Sequence, residues 1–191
     1  MDKKSIVYLI IVLIVFGVAL TLIYYFSNSQ VEVDVKFTHT PKANDEKIAP
    51  RAILTLQTDS QMIISGQPVA VKVMLDTQNN PIDGVDLYLS YSNLEPSSDL
   101  LDKSTSIFSN LMGPTVVREE KTIRLSALSE PGQSFTGQGE VVTLNFNAVA
   151  AGPAKVSLNF EPGSTIDCNV SYFEAGEDIL WQVSDLDLVI Q

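Results

Sequence analysis

The side chains able to do chemistry are unevenly supplied. There are 23 Asp and Glu residues, but one histidine, His39, and one cysteine, Cys168. One cysteine cannot close a disulfide within the chain, and one Cys with one His cannot make a tetrahedral zinc site in a monomer. His39 falls in a stretch with no periodicity, which gives a Ser–His–Asp or Cys–His arrangement no rigid base. Cys168 is expected to be a small buried apolar residue. No GxGxxG, P-loop, HExxH or G-x-S-x-G pattern occurs. The carboxylates could form a glycosidase pair only across a cleft about 5–10 Å wide, and short loops on a small β domain rarely build one. Catalysis is therefore not expected. Asp76, Asn79, Asn80 and Asp83 cluster around one turn and offer hard oxygen ligands for calcium. They lack the EF-hand spacing, so a polar turn is the simpler reading, and no cofactor is assigned.

The elements that must carry these residues are strands. From Ala52 onward no helical period is convincing, whereas two-residue alternation recurs between turn signals. Val69, Val71, Val73 and Leu75 share one face. The segment 77–81 (TQNNP) reads as a turn, because Asn tolerates a left-handed backbone and Pro cannot continue a ladder. In the next run Val85, Leu87, Leu89 and Tyr91 face inward, which turns Asp86, Tyr88 and Ser90 outward. Residues 93–114 read as mostly irregular, with Ile107 and Phe108 plugging a core edge. Thr122–Leu128 alternates with Ile123, Leu125 and Ala127 inward. A glycine-rich loop at 131–139 precedes Glu140–Val149, with Val142, Leu144, Phe146 and Ala148 on one side. Val156, Leu158 and Phe160 follow. Strands at Thr165–Val170 and Val183–Ile190 complete eight or nine. Strands with one apolar face must pair those faces, which predicts an all-β sandwich of two antiparallel sheets, a jelly roll of about nine strands.

Ahead of this domain lies a different kind of segment. Residues 1–5 (MDKKS) precede an uncharged run, 6–26, whose 21 residues would make a helix about 31 Å long, the thickness of a bilayer core. Tyr24 and Tyr25 suit the interface, and Lys3 and Lys4 mark the tail as cytoplasmic. The run is longer than a signal-peptide core, although Ser27, Asn28 and Ser29 offer small residues for cleavage. The expectation is an uncleaved transmembrane helix, a tether over 27–51 in which 31–37 (VEVDVKF) could form a short strand, and a domain over 52–191 outside the membrane or at the cell surface. From Ala52 on, 6 Lys and Arg stand against 18 Asp and Glu, a net charge of −12. Such a surface repels phosphate backbones and argues against a nucleic-acid partner.

The order of several short motifs resembles the cohesin family. Ser65-Gly66-Gln67 leads into 68–76 (PVAVKVMLD), and 82–91 (IDGVDLYLSY) follows. Then come 121–127 (KTIRLSA) with Pro131-Gly132, 135–146 (FTGQGEVVTLNF) and 150–156 (AAGPAKV). Where the family carries Tyr-Asp-Pro, this chain has Tyr91-Ser92-Asn93, so the turn after that strand must be built differently. The resemblance implies a nine-stranded jelly roll that binds a dockerin module and performs no catalysis. It places Asp86 at a polar partner-contact position and Ser129 and Glu130 on the same face, with Tyr88 and Ser90 as outward neighbours of Asp86. Two further readings compete. A carbohydrate-binding module at the cell surface, taking polysaccharide directly, would need a row of exposed aromatics. Tyr88, Tyr172, Phe173 and Trp181 are the candidates, and they are not spaced along one strand face. A structural surface protein would assemble through a free strand edge.

Overall fold

A computed structural model describes residues 51–173 and 175–191. They form twelve strands: β1 (Ala52–Gln57), β2 (Met62–Ile63), β3 (Pro68–Asp76), β4 (Ile82–Ser92), β5 (Leu94–Asp102), β6 (Asn110–Val117), β7 (Thr122–Leu128), β8 (Gln138–Ala148), β9 (Gly152–Leu158), β10 (Asn169–Tyr172), β11 (Leu180–Ser184) and β12 (Leu186–Ile190). The smaller sheet has the order β11-β1-β3-β8-β5. The larger runs β2-β12-β9-β4-β7-β6, with β10 also pairing β4. The architecture is the expected all-β sandwich of two sheets, with more strands than the nine read from the sequence and with one edge pair in each sheet, β1–β11 and β2–β12, parallel where antiparallel pairing was expected.

The predicted inward faces are buried. Val69, Val71, Val73 and Leu75 on β3, Leu87 and Leu89 on β4, Ile123 on β7, and Leu144 and Phe146 on β8 lie between the sheets. Tyr91 of the larger sheet meets Phe146 of the smaller with ring centroids 5.6 Å apart and tilted, one of the preferred aromatic geometries. The turn after β3 is left-handed at Gln78 (φ 49°) and Asn79 (φ 65°). The side chain of Asn80 donates to the carbonyls of Arg51 (2.9 Å) and Thr77 (2.8 Å).

Four expectations need correction. Residues 93–114 are not mostly irregular: they contain β5 and the first part of β6. Both are edge strands whose registers break, between Pro96 and Leu101 in one and between Met112 and Thr115 in the other, and a broken register erases the alternation that sequence reading relies on. Two-residue β2 is too short to show a period. The segment 165–170 becomes a strand only from Asn169. Residues 183–190 belong to two strands in different sheets, joined at Asp185. That carboxylate pairs with Lys155 at 2.9 Å and accepts the Leu158 N–H at 3.1 Å, which fixes the crossing.

The departure at Tyr91-Ser92-Asn93 also has its explanation. Asn93 takes φ 56° as the chain leaves one sheet for the other. Its side chain donates to Ala150 O at 2.8 Å and accepts from Ala150 N at 3.2 Å, closing the corner that a Pro-containing turn would otherwise make. Among the described residues no helix is long and apolar enough to cross a membrane. The predicted span at 6–26 and the short strand at 31–37 lie outside the described residues.

Candidate functional site

The outward face of the larger sheet gathers most of the residues singled out from the sequence. Strand β4 is long because two short strands share one of its sides: β9 pairs with Leu89–Ser92, and β10 with Ile82–Asp86. Between them, on that side of Tyr88, no strand among the described residues neighbours β4. Cys168 fills the gap. Its thiol accepts the Tyr88 N–H and donates to the Tyr88 carbonyl, each at 3.2 Å, and Asn159 N–H donates to that carbonyl at 2.8 Å. Cys168 is fully buried, as expected, and burial pushes its thiol up to about 12.

Asp86, Tyr88 and Ser90 all stand on this outer face, and each is held. Asp86 accepts a 2.5 Å hydrogen bond from Ser126 Oγ of β7. The Tyr88 ring lies under the Arg124 guanidinium, 3.9 Å from ring centroid to cation, a cation–π contact. Ser90 Oγ donates to Asn159 Oδ1 at 3.1 Å. Ser129 follows β7, and its N–H donates to Asp83 O at 2.8 Å, which ties it beside the start of β4. Glu130 is exposed just beyond it. At about 3.3 Å per residue the five positions extend over roughly 26 Å along the strands. They form a strip, not a focus. Asp86 and Tyr88 sit centrally, Ser90 lies toward one end, and Ser129 and Glu130 lie toward the other.

A shallow open depression of about 500 Å³ occupies the middle of the strip, lined among others by Asp86, Tyr88, Met112, Arg124, Ser126 and Ile166. Several of these partners went unread in the sequence. Arg124, Ser126 and Leu128 are the outward set of β7, and the alternation that gave Ile123, Leu125 and Ala127 as inward already implied them. Met112 escaped because β6 lies in the stretch read as irregular, and Ile166 because it belongs to a loop. Leu128 lies across the face of β4 at Gly84, where a Cβ would come within 2.6 Å of the Leu128 methyl.

Of the calcium candidates, Asp76 and Asn80 are engaged by neighbours. Asp76 accepts from Gln78 N (2.8 Å), Gln78 Nε2 (2.6 Å) and Gln138 Nε2 (2.8 Å), so its oxygens brace the turn. Among the described residues no three His, Cys, Asp or Glu side chains are grouped to hold a metal ion. The aromatics are not arrayed for sugar stacking either. Trp181 stands on β11 of the smaller sheet, with the Arg51 guanidinium 3.7 Å from its ring centroid, whereas Tyr88 belongs to the larger sheet.

No protein-family model matches the sequence, and no curated protein matches it. Solved structures do. The third cohesin of ScaC from Acetivibrio cellulolyticus, in complex with the ScaB dockerin, superposes with a TM-score of 0.58 at 12% identity, over 73% of this chain and 98% of that one. A cohesin module from a Clostridium perfringens family 33 glycoside hydrolase gives 0.55 at 11%, over 75% and 98%. A non-cellulosomal cohesin from the archaeon Archaeoglobus fulgidus gives 0.54 at 16%, over 74% and 91%. The domain has the cohesin fold. At such low identity the likeness carries architecture without residue roles.

Proposed function

We propose that the chain is a membrane-anchored, non-catalytic docking receptor, whose cohesin-like domain binds a dockerin-type module on the outer face of β4 and β7. The observation that carries this reading is the strip itself. A carboxylate, Asp86, and an aromatic, Tyr88, sit centrally with hydroxyls at Ser90 and Ser126. Exposed apolar side chains flank them at Met112 (55% exposed) and Ile166 (78%). A polar centre with apolar flanks suits a helical partner. Cohesin structures of the same architecture are solved in complex with dockerins, including a type II cohesin–X–dockerin complex from Acetivibrio cellulolyticus. The uncharged run at 6–26 supports an anchor holding the domain on the outer side of the membrane. There it would recruit a dockerin-bearing protein, with polysaccharide degradation as the natural setting.

The test is calorimetry of the full chain in mild detergent against a panel of dockerin modules and soluble polysaccharides, with and without calcium. The expected result is a dockerin signal that Asp86→Ala weakens by about tenfold or more, the scale of a buried interface hot spot. Binding to a glycan alone would refute the docking reading, and so would a dockerin signal indifferent to Asp86.

A further inference from the structure

Pairing registers line up one row of residues straight across four strands. Asn169 of β10 stands opposite Asp86 of β4, Asp86 opposite Ser126 of β7, and Ser126 opposite Met112 of β6. Three strand spacings of about 4.8 Å make this row roughly 14 Å wide, and a single α-helix with its side chains is about 10–12 Å across. Both sides of the row end in exposed apolar side chains. Met112 rises from β6, and Ile166 from the loop that joins β9 to β10.

That loop is a built element. At its neck Cys168 N donates to Asn159 O at 2.9 Å. Higher up, Glu161 N donates to Asp167 Oδ2 at 2.5 Å and Ser164 N to Glu161 O at 2.9 Å. A chain closed on itself in this way holds Ile166 out at 78% exposure, higher than any other large apolar side chain among the described residues.

The floor between the two apolar rims is acidic. Asp86 and Asp167 both line the depression, and the cation lining it, Arg124, is laid on the Tyr88 ring. Asp86 is the exposed carboxylate of this floor; Asp167 Oδ1 and Asn169 Oδ1 beside it are buried, without a hydrogen-bond partner among the described residues. The charge complement of such a floor is a basic side chain.

Building on the docking reading, we infer that the occupant is one amphipathic α-helix lying along β4, gripped between Ile166 and Met112, with a basic side chain directed at Asp86. The loop 161–167 is then the specificity element of the face, and Ile166 its deciding residue.

Two stapled amphipathic helical peptides provide the probe. Each carries leucines on one face, interrupted by a single arginine in one peptide and by citrulline in its twin. The full chain binds the arginine peptide about tenfold more tightly than the citrulline one. Ile166→Ser weakens that binding by about tenfold, whereas Ile64→Ser, an exposed apolar change at the distant β2 edge, leaves it unchanged. Ile166 is too exposed for its loss to threaten folding.

Equal affinity for the two peptides, absence of binding, or equal loss in Ile166→Ser and Ile64→Ser would each overturn the inference. The outcomes also separate it from the docking reading beneath it. A dockerin that binds Ile166→Ser as well as the unaltered chain removes the loop's role and keeps the docking face. Ile166-dependent binding of the arginine peptide, with every dockerin silent, keeps the groove and removes the dockerin.

Discussion

Replacing Cys168 should change how stability depends on pH, and the size of the effect follows from its position. The thiol is fully buried, and burial pushes its pKa up to about 12, while a free thiol titrates near 8.5. The unfolded chain therefore loses this proton well before the folded domain does. The folded pKa is the raised one, so the protonated thiol contributes stability that is fully present below about pH 8 and is lost as pH rises toward 12. Between pH 8 and pH 10 the loss amounts to about 2 kcal/mol. Urea unfolding of the domain at a series of pH values, in the native sequence and in Cys168→Ala, isolates it, because tyrosines and lysines titrate in both. The two curves of stability against pH should converge by about 2 kcal/mol over that interval. At pH 8 the same shift cuts the thiolate fraction about 2,000-fold relative to a free thiol, so alkylation should report unfolding rather than native reactivity. Parallel curves, or labelling of the native protein within tenfold of a free cysteine, would refute the placement of Cys168 in the seam beside Tyr88.

Other substitutions test the frame that presents the face. Asp185→Ala should cost roughly 2 kcal/mol, because it leaves the Leu158 N–H without its acceptor as well as breaking the Lys155 pair; a loss below half that would mean that solvent reaches the crossing. Phe146→Ala should cost about 3–5 kcal/mol in chemical denaturation, since the ring is fully buried between the sheets. Tyr91→Phe should be neutral or stabilising by about 1 kcal/mol, because the buried Tyr91 hydroxyl has no hydrogen-bond partner among the described residues, and a clear loss in thermal unfolding would reveal one. Gly113→Ala should destabilise by about 2 kcal/mol, as the residue sits at φ 101° with Arg124 O only 3.1 Å from where a Cβ would stand.

The sequence was most legible where one physical cause acted alone. On β3, β4 and β7 burial largely follows the two-residue period, so the inward residues could be named one by one, and the outward neighbours on β4, Asp86, Tyr88 and Ser90, came with them. Legibility failed where a second cause intruded. The Pro96–Leu101 break in β5 and the Met112–Thr115 break in β6 hide the alternation. Val141 and Val142 are both buried, because the β3–β8 register skips Val141: Val73 pairs with Val142 and Met74 with Glu140, so the alternation breaks there too. Asp185 reads as one more polar residue within a strand, yet its two partners make it the corner between sheets. Met112 and Ile166 lie inside these irregular places, which is why half of the face went unread.

The same irregularity gives the face its shape. An uninterrupted strand beside β4 would cover the Tyr88 position with backbone and leave a flat sheet. Splitting that neighbour into β9 and β10 frees about ten residues to leave the sheet and return. The backbone groups left at Tyr88 must still be satisfied, since an orphaned buried N–H costs about 1–3 kcal/mol. Cys168 and Asn159 satisfy them, and the loop they anchor carries Ile166 to the rim of the depression. A buried cysteine, unreactive in itself, thus joins sheet integrity to surface relief. Any change that loosens its hold on Tyr88 should disturb the outer face of β4 before it unfolds the domain.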